Sequence, residues 1–121
     1  MRDAEHAVDA VDVAQAMEMA QDRKIQFVDV RDYQELVAMG QIRGAAHASR
    51  GMLEFLVDPE SPYYNKLFTD DKEYVVYCMS GGRSALAAHR MREMGFEKVH
   101  TLAGGLKAWL EAGGEIESVE E

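Results

Sequence analysis

The stretch Tyr74-Val75-Val76-Tyr77-Cys78-Met79-Ser80-Gly81-Gly82-Arg83-Ser84 decides how this chain is read. Its first four residues are β-branched or aromatic, and so short an apolar run reads as a strand over 74–78. Cys78, the only cysteine in the sequence, ends that run. Two glycines follow, and an alanine-rich helical pattern then runs over about 83–94 until Gly95 closes it. A strand stopping on a thiol, a glycine-containing turn and a helix beginning at once are the parts of an anion cradle around a nucleophile. A thiol attacks as its thiolate, so its pKa must fall, and three features act in that direction. The helix entrance offers unpaired amides and a positive dipole end. Gly81 and Gly82 can take positive φ and curl their N–H groups inward as a nest. Arg83 adds a permanent cation that either contacts a bound oxyanion or braces the loop. Each feature alone is a weak signal; their combination is not.

Working outward, Ile25-Gln26-Phe27-Val28-Asp29-Val30 reads as a second buried strand. Ahead of it, Val8, Val11, Val13, Met17 and Met19 with Ala14, Ala16 and Ala20 predict a helix near 11–21, capped by Asp9 or Asp12. Asp32-Tyr33-Gln34-Glu35 opens a short helix that Gly40 closes. Ala45-Ala46-His47-Ala48 is a further strand candidate, and Ser49 is placed to cap a helix through Met52, Leu53, Phe55, Leu56 and Val57, ended by Asp58-Pro59. Ser61-Pro62 offers another helix start, leading to Phe68. Residues 98–102 form a strand, Ala103-Gly104-Gly105 a turn, and residues 106–112 a last helix ended by Gly113-Gly114. The tail over about 115–121, with four glutamates, reads as a solvated end. Strands alternating with helices predict parallel strands joined by right-handed crossovers, with the functional crevice at their carboxyl ends.

Length predicts one domain over 1–121. Hydrophobic residues at 47% and charged residues at 29% are the balance of a globular protein, which excludes disorder as the default. A lone cysteine forms no internal disulfide, and with His6, His47, His89 and His100 it makes no zinc spacing, so no metal or cofactor is expected. The first six residues lack an apolar leader and no transmembrane run is present, so a cytoplasmic location is expected. A net charge of -9 argues against nucleic-acid and anionic membrane partners. A small anionic substrate remains open, because local dipoles act inside a screening length of about 8 Å.

The loop from Cys78 to Arg83, with four residues between the two, resembles the catalytic loop of the rhodanese family of single-domain sulfurtransferases. Phe27-Val28-Asp29-Val30-Arg31 is similar to that family's first strand motif. Gly40-Gln41-Ile42-Arg43-Gly44-Ala45 is similar to its Gly-His-Ile-Pro-Gly-Ala turn, with Gln41 for His and Arg43 for Pro. Leu102-Ala103-Gly104-Gly105-Leu106-Lys107-Ala108-Trp109 is similar to its Gly-Gly-x-x-x-Trp signature. The resemblance implies an α/β rhodanese-like fold with a five-stranded parallel sheet and helices on both faces. It also implies that Cys78 is the nucleophile, taking a sulfane sulfur from thiosulfate or another persulfide-type donor and passing it to cyanide, a thiol or a protein acceptor. Met79, Ser80, Gly81, Gly82, Arg83 and Ser84 would then be the substrate-binding loop.

Other readings stay open. The same fold hosts phosphatases and arsenate reductases, whose loop has five residues between Cys and Arg; the shorter ring here suits a smaller anion. It also hosts non-catalytic interaction modules, which usually lose the cysteine, and Cys78 alone could be an inert core thiol. Asp29 and Arg31 read as a strand-end ion pair giving structural support. Arg50 reaches the pocket mouth or pairs with Glu54 one turn on. His47, His89 and His100 read as structural or exposed, Trp109 and the methionines as core, and Met79 as a shaper of the pocket rim. With no lysine and one arginine in the loop, weak thiosulfate binding is expected.

Overall fold

The protein is seen in a computed structural model that describes residues 9–69 and 71–119. Val8 and the last two residues of the acidic tail therefore lie outside the described residues, as does His6. In chain order the elements are β1 (Asp9–Val11), α1 (Val13–Met19), β2 (Ile25–Asp29), α2 (Tyr33–Met39), β3 (Gln41–Ile42), β4 (Ala46–His47), α3 (Leu53–Val57), β5 (Glu73–Tyr77), α4 (Gly82–Glu93), β6 (Val99–Leu102), α5 (Gly105–Glu111) and β7 (Ile116–Glu117).

Five strands pair in the order β1-β6-β5-β2-β4, every neighbouring pair parallel. β5 is central, which is why its sequence is apolar on both faces: Tyr74, Val75, Val76 and Tyr77 are all fully buried. Alternation splits the core in two. Val28, Val30, Tyr74 and Val76 face α3 and α4 through Leu53, Val57, Ala87, Ala88 and Met91. Phe27, Val75 and Tyr77 face α1 and α5 through Ala16, Leu106 and Trp109. Helices thus cover both faces, as expected of crossover connections.

The helix starts obey local rules where side chains reach the backbone. Asp12 caps α1: its Oδ1 accepts from the Gln15 amide at 2.8 Å while Gln15 Oε1 accepts from the Asp12 amide at 3.1 Å. The predicted start of this helix near residue 11 is corrected, because residues 9–11 are instead the fifth strand, in register with His100, Thr101 and Leu102. The Ser49 cap is also corrected. Met52 precedes α3 without a side-chain cap, and it is the Ser49 carbonyl that accepts from the amides of Met52 and Leu53, each at 2.9 Å. No helix forms over residues 61–68. The Ser61 hydroxyl accepts from the Tyr63 amide at 3.1 Å and the Asn65 carboxamide from the Leu67 amide at 3.0 Å, local bonds that replace the helical ladder with turns.

The tail is exposed but not loose. Ile116 and Glu117 pair antiparallel with Ile42 and Gln41, the Arg43 guanidinium meets Glu115 at 3.0 Å, and Glu117 Oε1 accepts from Gln41 Nε2 at 2.9 Å and the Gly44 amide at 3.2 Å. Gln41 and Arg43, the two residues that depart from the family turn, both hold this tail through their side chains, as does Trp109, whose Nε1 donates to the Glu115 carbonyl at 3.0 Å. Among the described residues no helix is long and apolar enough to cross a membrane.

Candidate active site

Cys78 follows β5 directly, at the carboxyl end of the central strand. The chain then turns through Gly81, whose φ of 151° is open to glycine and strained for other residues, and enters α4 at Gly82. Of the two glycines only Gly81 has positive φ; Gly82 is helical, so the two-glycine nest reduces to one. The amides nevertheless turn inward. Gly81 N–H donates to Cys78 Sγ at 3.1 Å, and the Ser84 hydroxyl lies 3.6 Å from the same sulfur. Burial pushes the Cys78 thiol up, but the Ser84 side chain and the amides of Ser84, Ser80 and Gly81 outweigh it and hold the thiol below its ordinary value. With the sulfur as a thiol the Ser84 hydroxyl donates to the Gly81 carbonyl at 3.0 Å; with a thiolate it is free to rotate toward sulfur.

Ser84→Ala is accordingly expected to raise the pH at which Cys78 alkylation by iodoacetamide reaches half its maximal rate, and to slow it severalfold at neutral pH. A titration that superimposes on the wild type would show that the hydroxyl does not stabilise the anion.

The sulfur is nearly covered, with Cys78 only 1% exposed, whereas Ser80 and Gly82 beside it are exposed. Met79 contributes differently from its neighbours: its side chain packs into the core facing α1 and α5, and its carbonyl accepts from the Lys107 amide at 3.2 Å. The Cys78 carbonyl accepts from the Leu106 amide at 2.9 Å, so the entrance of α5 clamps the start of the loop. Gly105 makes that approach feasible, since a Cβ there would sit 2.5 Å from the Cys78 carbonyl oxygen and 2.6 Å from that of Met79. Gly105→Ala, at φ +60° against rigid backbone, is expected to cost about 2 kcal/mol by urea denaturation and to slow Cys78 alkylation. An unchanged midpoint and rate would mean that the clamp is slack. Only the Gly-Gly-x-x-x-Trp spacing signals this contact in the sequence.

Arg83 does not point into the cradle. Its Nη1 and Nη2 meet Glu35 Oε1 and Oε2 at 2.6 and 3.0 Å, a bidentate pair that braces the loop against α2. The hydrogen bond from Arg83 brings the Glu35 carboxyl down to about 2. Glu35 is the residue that sequence reasoning missed; its place three residues after Asp32 signals a capping role, which it also fills by accepting from the Asp32 amide at 3.2 Å. Its partner lies 48 positions away. Arg50 is engaged as well, 3.5 Å from Glu54, which also meets Arg90 at 3.2 Å. Its side chain is therefore committed to α3 and not disengaged at a pocket mouth. Asp29 and Arg31 form the expected strand-end pair, both fully buried, with Arg31 Nη2 2.7 Å from Asp29 Oδ2 and 2.6 Å from the Gly40 carbonyl. His47 meets the Arg31 carbonyl, His89 lies near Glu93 and His100 meets Glu73, so none of the three approaches the sulfur. A cavity of about 520 Å³ lies away from the thiol, lined by Met17, Arg43, Trp109 and Gly114 among others and by no residue of the loop.

Comparison with known proteins agrees with this architecture. Residues 12–112 match the rhodanese-like domain. The thiosulfate sulfurtransferase GlpE of Coxiella burnetii is 32% identical over 95 residues, covering 78% of this chain and 80% of that protein. Among solved structures, a Rhodopseudomonas palustris protein of unknown function, described as a possible tyrosine phosphatase, superposes with a TM-score of 0.90 at 40% identity, covering 96% of this chain and 89% of that one. The polysulfide-sulfur transferase homodimer of Wolinella succinogenes superposes with a TM-score of 0.73 at 31% identity, covering 99% and 85%. A thiol closing the central strand of a five-stranded parallel sheet and a match running from α1 to the end of α5 lead to one assignment: this chain belongs to the rhodanese-like domain family.

Proposed function

We propose that this protein is a sulfurtransferase, a single rhodanese domain in which Cys78 carries sulfur as a persulfide. The observation that supports this most is the Gly81 N–H aimed at Cys78 Sγ from 3.1 Å, with the Ser84 hydroxyl beside it, because such donors favour the thiolate over the thiol. In the first half-reaction the thiolate attacks the outer sulfur of a donor such as thiosulfate. The new Sγ–S bond forms as the donor's S–S bond breaks, and the electron pair leaves with sulfite. In the second, an acceptor such as cyanide or a thiol attacks the outer sulfur and the Cys78 thiolate departs. One difficult transfer becomes two easier ones, with no net oxidation. The amides of Ser80, Gly81 and Ser84 stabilise the charge on the terminal sulfur as fixed dipoles that need no reorganisation. Because Cys78 is covered, the turn over residues 79–82 must part to admit the donor.

Mass spectrometry of the protein after exposure to thiosulfate tests this directly. One added sulfur atom is expected on the peptide that contains Cys78; an unmodified peptide under turnover conditions would exclude a persulfide carrier.

The description attached to the Rhodopseudomonas relative makes phosphate-ester hydrolysis the rival to address. Four residues between Cys78 and Arg83 close a smaller ring than a phosphoryl group needs, and the Arg83 fork is paired with Glu35 through both terminal nitrogens, so its charge is already compensated. No phosphate release from an aryl phosphate is expected, and release that depends on Cys78 would reverse this choice.

A further inference from the structure

Arg83 is the only cation between Cys78 and Ala85, and Glu35 occupies both of its terminal nitrogens. The pair is not a buried strut: the side chains are 40% and 33% exposed, so the charges face the solvent through which a donor arrives. Arg83 lies within electrostatic reach of Cys78. Glu35 is itself held in place, since the same Oε1 that meets Arg83 accepts from the Asp32 amide at the start of α2. Arg50, the other arginine considered for the mouth, is paired with Glu54. An arriving anion therefore meets a guanidinium whose charge is cancelled at its own distance, on a chain whose net charge of -9 repels it. Backbone dipoles remain, and they favour charge at the sulfur itself rather than on a remote sulfonate.

We propose that Glu35 is a donor-selecting residue: by engaging Arg83 it withholds positive charge from the mouth of the Cys78 loop and turns the site from dianionic donors toward donors of lower charge, of the class of small thiol persulfides. This rests on the sulfur-transfer reading above. With such a donor the Cys78 thiolate attacks the outer sulfur of R–S–SH, the Sγ–S bond forms as the donor's S–S bond breaks, and R–S⁻ leaves with the electron pair. Cys78 is left as the hydropersulfide, and no external oxidant or reductant is consumed.

Glu35→Gln tests the idea, because glutamine keeps the size and the Oε1 acceptor for Asp32 while it removes the charge and the Oε2 acceptor of Arg83 Nη2. The first readout does not require sulfur transfer: the ratio of Cys78 alkylation rates by anionic iodoacetate and neutral iodoacetamide, in which the thiolate fraction cancels. Releasing one positive charge is expected to raise that ratio about threefold, and the Michaelis constant for thiosulfate, with twice the charge, should fall about tenfold. That for cysteine persulfide, of lower net charge, should fall about threefold at most. Adding Arg83→Gln to Glu35→Gln should return the alkylation ratio to the wild-type value, and high salt should shrink all the differences. An unmoved ratio in Glu35→Gln, or a raised ratio that survives loss of Arg83, would overturn the proposal. A ratio that moves as expected in a protein that loads sulfur from neither donor would leave Glu35's control of anions intact and refute the sulfur-transfer reading instead; normal sulfur loading with unmoved ratios would do the reverse.

Discussion

Cys78→Ser is expected to abolish thiocyanate formation from thiosulfate and cyanide, a fall of at least about a thousandfold, while leaving the fold in place. A serine hydroxyl in the same cradle would receive the same Gly81 N–H and the same Ser84 neighbour, yet those donors cannot ionise an alcohol at neutral pH, and an alkoxide could not form a persulfide. No other residue can take over, since the chain has one cysteine. The replacement is nearly isosteric, and the new hydroxyl finds hydrogen-bond partners within reach, so the urea midpoint should move little. That separation is what makes the measurement decisive: equal thiocyanate rates in the two proteins would mean that the thiol is a core residue and the domain a docking module, whereas lost activity with a lost fold would show nothing about chemistry. Comparing midpoints alongside rates distinguishes the two.

Asp29→Ala should be the most damaging single change to stability, at about 4 kcal/mol. Asp29 Oδ1 accepts from the Arg31 amide and Nε, each at 3.0 Å, and Oδ2 from Nη2 at 2.7 Å. Both residues are 0% exposed, and Arg31 Nη1 has no hydrogen-bond partner among the described residues. Removing the carboxylate would strand a guanidinium away from water with only the Gly40 carbonyl to compensate it. Because folded domains are stable by only about 5–15 kcal/mol, the loss should bring the urea midpoint down sharply. The Tyr77 hydroxyl would be disturbed too, as it bonds Asp29 and accepts from the Ile42 amide at 3.0 Å. Replacing both partners, Asp29→Leu with Arg31→Met, should cost less than Asp29→Ala alone, since no charge is then left buried. A double replacement that is worse than the single one would mean that the pair contributes net stability beyond mutual compensation.

The same pair shows what could be read in advance. Asp29 and Arg31 flank a strand end two positions apart, so their pairing follows from local geometry, and it is observed. β2, β5 and α4 were equally legible: each carries enough apolar residues at its own period to specify its state, and Gly40 and Gly95 end α2 and α4 where a chain without Cβ can turn. β1 was not legible, because three residues with one buried valine carry no period of their own and become a strand only by pairing with β6. The turns over 61–68 hid for a different reason: Ser61 and Asn65 suit helix starts and local side-chain bonds alike, and the tertiary bond from the Asn65 amide to the Leu56 carbonyl at 2.8 Å favours the latter.

By itself the sequence settled where a thiol would sit, at the carboxyl end of a strand and the entrance of a helix, because strand period, glycine and helix period are properties of neighbouring residues. What only the tertiary structure decided is how that thiol is surrounded. Leu106 and Lys107 clamp the carbonyls of the loop, Glu35 claims Arg83, and Ile116 and Glu117 fold back on Gln41 and Ile42. Each of these contacts joins residues far apart in the chain, and their free energy depends on closing long loops against packed faces, a condition no local pattern encodes.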